Sequence, residues 1–172
     1  CGKAGLPQAP YAALTKPDFD ERRTEMLAEI EGKLRYPMFV KPSNMGSSVG
    51  ISKVRTEEEL KQAIENAAKY DHRILVEEGI DCRELETAVL GNHNPIVSCV
   101  GEIIPSSEFY DYKAKYFDGG ESKLCVPADI SPEKAQEVRD IAVKAYGLLD
   151  CSGYARVDFF MEKGTGRVLL SE

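Results

Sequence analysis

The sequence predicts an α+β fold made of two lobes of largely antiparallel sheet with packed helices. Apolar residues at helical spacing mark three helices, and short apolar segments between them mark strands. Many neighbouring strands are joined by connections too short for parallel crossovers, which need a dozen or more residues. The pattern changes near residues 80–85, so we expect lobes at 1–84 and 85–172.

The first predicted lobe alternates strands with two helices. Residues 18–34 carry apolar side chains at helical spacing, and Pro37 ends that helix. Thr56 and Glu59 form a capping-box signature at the start of the second helix. We expect strands just before the first helix and at 38–40, 51–54 and 74–76.

The second predicted lobe contains one helix among strands. Segments 85–90, 96–99 and 102–104 predict an antiparallel meander. The helix is expected to begin after Ser131, because Pro132 takes the favoured first helical position. A hairpin of 153–161 and 167–170 closes the chain.

Composition excludes several classes of function. The net charge of −7 argues against nucleic acid, since phosphate backbones select basic surfaces. No apolar run approaches the roughly 20 residues that a membrane span needs. The five cysteines form no C-x-x-C pair, which argues against a zinc site or a disulfide framework. Scattered free thiols fit a reducing cytoplasm.

Residues 41–50 predict a phosphate-binding loop. Lys41 closes a buried strand and precedes a segment rich in glycine and serine. Small residues let backbone N–H groups approach an anion, and lysine supplies a point charge. The alternative is a flexible connection between strands, and composition does not separate the two.

Arg156 and Asp158 are expected on one face of a strand, because alternate residues share a face. A cation beside a carboxylate can bind a phosphate and its metal. Glu172 on the next strand can complete a carboxylate pair for Mg²⁺, which prefers oxygen ligands. The alternative is a surface ion pair, worth at most about 1 kcal/mol.

Two further segments are candidates for ligand contacts. Tyrosines and lysines cluster in residues 109–116, which suggests a lid over a charged ligand, with surface packing as the alternative. Residues 74–84 join the lobes, so their backbone groups can contact a base and a nearby carboxylate can contact a sugar. The alternative there is an exposed acidic turn.

Taken in order, these segments resemble one family. V-K-P-S-x-x-G-S-S-V-G, V-E-E-x-I-x-x-R-E-L-E-x-A-V-L-G, F-Y-D-Y-x-A-K-Y and G-Y-A-R-V-D-F-F are similar to motifs of the D-alanine–D-alanine ligases in the ATP-grasp superfamily. The resemblance covers nearly the whole chain and implies an ATP-grasp fold.

The resemblance implies a set of nucleotide-binding residues. Lys41 is expected to bind ATP phosphates, with Ser47 and Ser48 closing over them and Lys115 reaching them from the lid. The adenine-contacting linker is implied at Glu77, Glu78, Gly79 and Ile80, and Glu84 is expected to bind the ribose.

The same resemblance implies the catalytic and metal-binding groups. Arg156 is expected to stabilise the oxyanion of the tetrahedral intermediate, and Asp158 and Glu172 to bind Mg²⁺ or Mn²⁺. Tyr116 is expected to contact Ser47 as the site closes. A tyrosine at that lid position favours D-alanine over D-lactate as second substrate.

The implied reaction uses ATP to activate one D-alanine as an acyl phosphate, which the amine of a second D-alanine attacks. The product feeds peptidoglycan synthesis, so a bacterial cytoplasmic enzyme is implied, with a homodimer as its expected assembly. The alternatives are another ATP-grasp carboxylate–amine ligase and a non-catalytic nucleotide-binding module.

The chain departs from the family pattern at both ends. The family has an N-terminal lobe before the residue that matches Cys1, and it continues with I-N-T-x-P-G after the residue that matches Glu172. We therefore expect these 172 residues to be inactive as a ligase on their own.

Overall fold

The computed structural model describes residues 4–46, 48–105 and 123–172. Within these ranges the elements are three helices and ten strands, and all paired strands are antiparallel. The predicted α+β class is confirmed. No helix of the described ranges is long and apolar enough to cross a membrane.

Contacts between Cα atoms group the described residues into two compact units. The first unit contains residues 9–46 and 48–79, and the second contains 4–8, 80–105 and 123–172. The division predicted between residues 84 and 85 falls inside a strand of the second unit, Cys82–Gly91. As a statement about domains it stays a prediction.

The first unit is a four-stranded sheet covered by two helices. In chain order its elements are β1 (Tyr11–Thr15), α1 (Lys16–Lys33), β2 (Met38–Pro42), β3 (Ser52–Val54), α2 (Glu57–Ala67) and β4 (Arg73–Glu78). The strand order is β1-β4-β2-β3.

Capping side chains fix where these helices begin. The Thr15 hydroxyl accepts from the Asp18 N–H at the start of α1, and the Thr56 hydroxyl accepts from the Glu59 N–H at the start of α2. The Glu59 carboxylate accepts from the N–H of Arg55, one residue before the cap. Helix α1 carries a kink at Arg22, whose ψ of 33° is not helical.

The two faces of this sheet differ in character. Met38, Val40 and Val76 are fully buried and belong to one core with Phe19 of α1 and Leu60 of α2. The alternate residues along β2 and β4 are only partly buried. The sheet therefore presents an open face that includes Phe39, Lys41 and Glu77, which we call the Lys41 face.

The second unit is a larger sheet with one helix. In chain order its elements are β5 (Cys82–Gly91), β6 (Ile96–Val97), β7 (Gly101–Ile104), β8 (Lys123–Cys125), α3 (Pro132–Leu148), β9 (Gly153–Glu162) and β10 (Val168–Leu170). The strand order is β10-β9-β5-β7-β8, with β6 also paired to β5.

The predicted meander of three strands is wrong in its pairing. Strand β7 pairs with β5 and not with β6, because β5 is ten residues long and both short strands pair along its length. The helix and the closing hairpin occur where they were expected, and Ser131 caps α3 by accepting from the Lys134 N–H.

Helix α3 packs on one face of this sheet. Val138 and Ala142 of the helix are buried in one core with Leu85, Val89 and Phe159 of the strands. The alternate strand residues, among them Glu84, Glu86, Arg156 and Asp158, lie on the opposite face, which we call the Arg156 face.

Candidate functional site

An ion pair between Lys41 and Glu77 lies on the Lys41 face. The register pairs Phe39 with Glu77, so Lys41 is a diagonal neighbour of Glu77 on the same face. Lys41 Nζ is 2.7 Å from Glu77 Oε2, and the side chains are only 14% and 18% exposed. The ammonium group is therefore held in position by a carboxylate from the adjacent strand.

A second cation lies beside this pair. Lys53 of β3 is paired with Phe39 of β2, and its Nζ is 5.8 Å from the centre of the Phe39 ring. Lys41 and Lys53 thus lie on the same face of adjacent strands. Lysine supplies a point charge for phosphate, so two lysines on one face of adjacent strands suit contacts with a chain of phosphates.

Asp71 anchors the beginning of the predicted phosphate loop. Its Oδ2 accepts from the backbone N–H of Asn44 at 3.0 Å and from Asn44 Nδ2 at 2.6 Å. Its Oδ1 accepts from the Arg73 N–H at 3.0 Å. The hydrogen bond from the Arg73 N–H is the largest cause that holds the pKa of Asp71 below its usual value, and the hydrogen bonds from Asn44 add to it. The ionised carboxylate therefore ties Asn44 to the segment before β4.

The loop then turns through two left-handed residues. Ser48 has a φ of 61° and Gly50 a φ of 76°. A Cβ on Gly50 would lie 2.7 Å from Tyr70 Cδ2, so position 50 requires glycine on two independent grounds. Left-handed backbone at a non-glycine residue such as Ser48 stores strain, and such residues cluster at ligand-binding sites. Ser47 lies outside the described residues.

The predicted adenine linker has several of its polar groups already bonded. The N–H groups of Glu78 and Gly79 donate to the carbonyls of Pro10 and Pro37, at 2.9 and 2.8 Å. The Glu78 carboxylate accepts from the Arg35 N–H at 2.9 Å, and that of Glu77 binds Lys41. Ile80 follows β4 with no strand or helix assignment, and a role for this linker stays a prediction.

Arg156 and Asp158 form a two-pronged ion pair on the Arg156 face. Arg156 Nε donates to Asp158 Oδ1 and Nη2 to Oδ2, each at 2.7 Å. The hydrogen bonds to Asp158 raise the pKa of Arg156 above its usual value, and the charges of Asp158, Glu86 and Glu172 add to this effect. The Arg156 side chain is 55% exposed and the Asp158 side chain 25%, so the pair is accessible to a ligand.

A β-bulge aligns the end of the chain with Asp158. The N–H groups of Ser171 and Glu172 both point to the Asp158 carbonyl, at 2.8 and 3.4 Å, and Asp158 N–H donates to the Glu172 carbonyl at 2.8 Å. Ser171 and Glu172 thus both lie opposite Asp158, and two residues opposite one is the pattern of a β-bulge. Strict alternation after Leu170 would put Glu172 on the helix side, whereas the bulge lets Glu172 oppose Asp158.

The structure brings some of the residues predicted from sequence in the second unit into contact with one another. Arg156 and Asp158 are in direct contact, and Glu172 is joined to Asp158 through the backbone. Glu84 lies on the same face, opposite Phe160 of β9. No group of three potential metal-ligating side chains is found in the described part of the chain. Lys115 and Tyr116 lie outside the described residues.

Sequence reasoning missed Glu86. It lies opposite Asp158 on β5, and its Oε2 is 3.5 Å from Arg156 Nε. The available signal was the alternation of Glu84 and Glu86 along one strand, which places both carboxylates on a single face.

Two antiparallel sheets, each with an open charged face, fit the ATP-grasp fold that the sequence motifs imply. The family model described as "D-ala D-ala ligase C-terminus" matches residues 1–172, and the chain belongs to that family. This confirms the resemblance to the D-alanine–D-alanine ligases and the ATP-grasp fold.

Relatives with known names agree. The chain is 53% identical over 170 residues to a D-alanine–D-alanine ligase of Acetivibrio thermocellus, covering 99% of this chain and 45% of the relative. It is 51% identical to the ligase of Bacillus velezensis over 170 residues, with 99% and 48% coverage. The chain thus spans about half the length of these relatives.

Solved structures give the same result. The VanG D-Ala:D-Ser ligase of Enterococcus faecalis matches with a TM-score of 0.85 and 37% identity, over 99% of this chain and 48% of the other. The D-alanine–D-alanine ligase of Coxiella burnetii matches with a TM-score of 0.79 and 33% identity, over 99% and 43%.

Proposed function

We propose that the protein containing this chain joins two D-alanine molecules at the expense of ATP, for peptidoglycan synthesis in the bacterial cytoplasm. The observation that carries the proposal is the Arg156–Asp158 pair with Glu172 beside it, on a chain about half identical to ligases of that name. The proposal includes a homodimeric parent protein and no nucleic-acid partner.

The Lys41 face supplies the phosphate-binding part of this function. Lys41 is held at 2.7 Å from Glu77, and Lys53 lies on the same face. A fixed ammonium group neutralises phosphate charge without reorganising during the reaction, which is the main source of catalysis in phosphoryl transfer. Ser47, Ser48 and Lys115 are proposed to complete the phosphate contacts, and Glu77 to Ile80 with Glu84 the adenosine contacts.

The donor set at Asp158 fits a divalent cation. Both Asp158 and Glu172 offer carboxylate oxygens, the ligands that Mg²⁺ and Mn²⁺ prefer, and the bulge sets these residues opposite each other. When bound there, the metal supplies charge neutralisation for the phosphates.

Arg156 supplies the second electrostatic contribution. The proposed role is to stabilise the negative charge that develops on the carbonyl oxygen when the amine of the second D-alanine attacks the acyl phosphate. Its planar guanidinium carries five N–H donors, and Asp158 accepts from two of its nitrogens at 2.7 Å, so other N–H groups can contact an oxyanion. Tyr116 and Ser47 are proposed to close the site.

A second amino-acid specificity has one observation in its favour, because the VanG structure that matches at a TM-score of 0.85 is a D-Ala:D-Ser ligase. The curated relatives that match at 51–53% identity are named D-alanine–D-alanine ligases, which favours D-alanine as the second substrate.

The test is product analysis with the full-length protein. It is incubated with ATP and Mg²⁺ plus D-alanine alone, an equimolar mixture of D-alanine and D-serine, or L-alanine, and the products are identified by mass spectrometry. We expect D-alanyl-D-alanine in the first two reactions and no dipeptide in the third. A predominance of D-alanyl-D-serine would assign the other specificity, and the absence of any dipeptide would refute the proposal.

A further inference from the structure

Glu86 is a carboxylate on the Arg156 face that none of the proposed roles includes. It lies directly opposite Asp158 of β9, and its side chain is only 20% exposed. On its other side β7 places Gly101, where an added Cβ would lie 3.5 Å from Glu86 Cγ. This neighbour leaves room for the carboxylate and offers it no side-chain donor.

Arg156 is the cationic partner that the described part of the chain provides for Glu86. The distance from Arg156 Nε to Glu86 Oε2 is 3.5 Å, while the same Nε donates to Asp158 at 2.7 Å. The guanidinium therefore lies between two carboxylates, and Asp158 holds it with both oxygens. Glu86 is largely buried, and Arg156 lies near it. If Asp158 binds the guanidinium less strongly, Glu86 is placed to bind it more closely.

The order of the strands indicates how the bonds between Asp158 and Arg156 can be weakened. Because β9 lies between β10 and β5, Asp158 has Glu172 on one side and Glu86 on the other. Asp158 and Glu172 would hold a cation on the β10 side of Asp158. A carboxylate oxygen that coordinates a cation has less electron density to offer Arg156, so the two-pronged pair weakens. Glu86, on the β5 side, is then the acceptor that remains.

We infer that Glu86 is a positioning residue, which takes over the guanidinium of Arg156 when Asp158 binds the divalent cation. The inference rests on the proposed function, because that function places the cation at Asp158 and Glu172. Of the three carboxylates around Arg156, Asp158 and Glu172 are assigned to the metal, and Glu86 keeps Arg156 directed at the reacting carbonyl. Glu86 acts through Arg156 and does not itself touch metal or substrate.

The first test is kinetic and uses the full-length protein with Glu86→Gln, which keeps the side chain's size and removes its charge. We expect kcat to fall about 10- to 100-fold, the effect of a misplaced catalytic group, with the KM for ATP and the half-saturating Mg²⁺ concentration each within about twofold of wild type. Glu86→Asp retains the charge and is expected to recover part of kcat. The matched control is Glu137→Gln, which removes the charge from a partly buried ion pair with Lys134 on α3.

A wild-type kcat in Glu86→Gln would overturn the inference. So would a half-saturating Mg²⁺ concentration raised tenfold or more, because that result assigns Glu86 to the metal site. If the wild-type protein makes D-alanyl-D-alanine and Glu86→Gln does so equally fast, the inference alone fails. If the wild type makes no dipeptide, the proposed function itself fails.

The second test needs no variant, so the folding of a variant does not affect its result. It is a crystal structure of the full-length wild-type protein with Mg²⁺ and a non-hydrolysable ATP analogue. We expect Arg156 Nε to lie within about 3 Å of a Glu86 oxygen, at hydrogen-bond distance, with an Asp158 oxygen on the metal. The inference would be contradicted if Glu86 were bound to the metal. It would also be contradicted if both oxygens of Asp158 still bound Arg156 while Glu86 Oε2 stayed 3.5 Å or more from Arg156 Nε.

Discussion

Single residues determine the backbone of the predicted phosphate loop, and Gly50 is the clearest example. Its φ of 76° and the 2.7 Å that would separate an added Cβ from Tyr70 Cδ2 both exclude a side chain. We expect Gly50→Ala to lower the free energy of unfolding by about 1–3 kcal/mol, from backbone strain and the contact together. Urea denaturation of the wild type and the variant measures this.

Gly32 provides the matched control. It lies in α1, and a Cβ there would have no atom within 4 Å. Gly32→Ala is expected to leave stability unchanged or raise it by about 0.5 kcal/mol, because alanine is the better helix former. Equal losses in the two variants would show that the restriction at position 50 is absent.

Asp71 makes the anchoring of the loop dependent on pH. Its hydrogen bonds lower its pKa in the folded state, so the stabilisation is fully present above the unfolded pKa of about 3.9 and is lost as pH falls through the folded value. We expect Asp71→Asn to have a lower urea midpoint than wild type at pH 7, with the difference shrinking as pH falls below about 3.9.

The comparison for Asp71 is Asp140→Asn. The Asp140 carboxylate is exposed and accepts one hydrogen bond from Gln136 on the same helix. We expect the Asp140→Asn variant to have nearly the urea midpoint of wild type at pH 7, because one exposed hydrogen bond within a helix contributes little. An Asp71→Asn variant as stable as wild type at pH 7 would contradict the role given to Asp71.

For single residues, the sequence predicted which residues belong to the candidate site better than it predicted which residues they contact. Lys41, Arg156 and Asp158 stand out because their neighbours form recognisable motifs. That Glu77 binds Lys41, and that Glu86 lies beside Arg156, depends on which strands are neighbours and in what register. Neither property is encoded locally.

Among the elements, helix α2 shows how a capping residue contributes. The Thr56 hydroxyl accepts from the Glu59 N–H at 3.2 Å, one of the donors that has no partner within the helix. We expect Thr56→Ala to destabilise the protein by about 1 kcal/mol, and Thr56→Ser to lose much less, because serine keeps the hydroxyl. Thermal denaturation of both variants measures this, and equal losses would exclude the hydroxyl as the cause.

The sequence located the helices more reliably than the strand pairings. Thr56, Ser131 and Pro132 are local signals that lie at the helix ends themselves. The pairing of β6 and β7 with β5 was not predictable, because it depends on the length of β5 and on the cores that form around it. The bulge at Ser171 and Glu172 is likewise invisible in a pattern of alternation.

For the whole molecule, the antiparallel α+β architecture and the family followed from sequence, because four motifs occur in a fixed order along the chain. Each unit has its own buried core and its own open face, one with Lys41 and one with Arg156 and Asp158. The proposal for the first of these faces is that Lys41 binds the phosphates of a magnesium–nucleotide complex.

Isothermal titration of the full-length protein with Mg²⁺ and a non-hydrolysable ATP analogue measures whether Lys41 contributes to nucleotide binding. The variants are Lys41→Ala and, as a matched control, Lys69→Ala, whose lysine lies in the turn after α2 and donates to Asn66 at the end of that helix. We predict that Lys41→Ala weakens nucleotide binding at least about tenfold, because a charge-assisted contact of roughly 1.5–3 kcal/mol is lost, while Lys69→Ala binds as wild type does. Equal affinities for wild type and Lys41→Ala would contradict the proposed phosphate-binding role of Lys41.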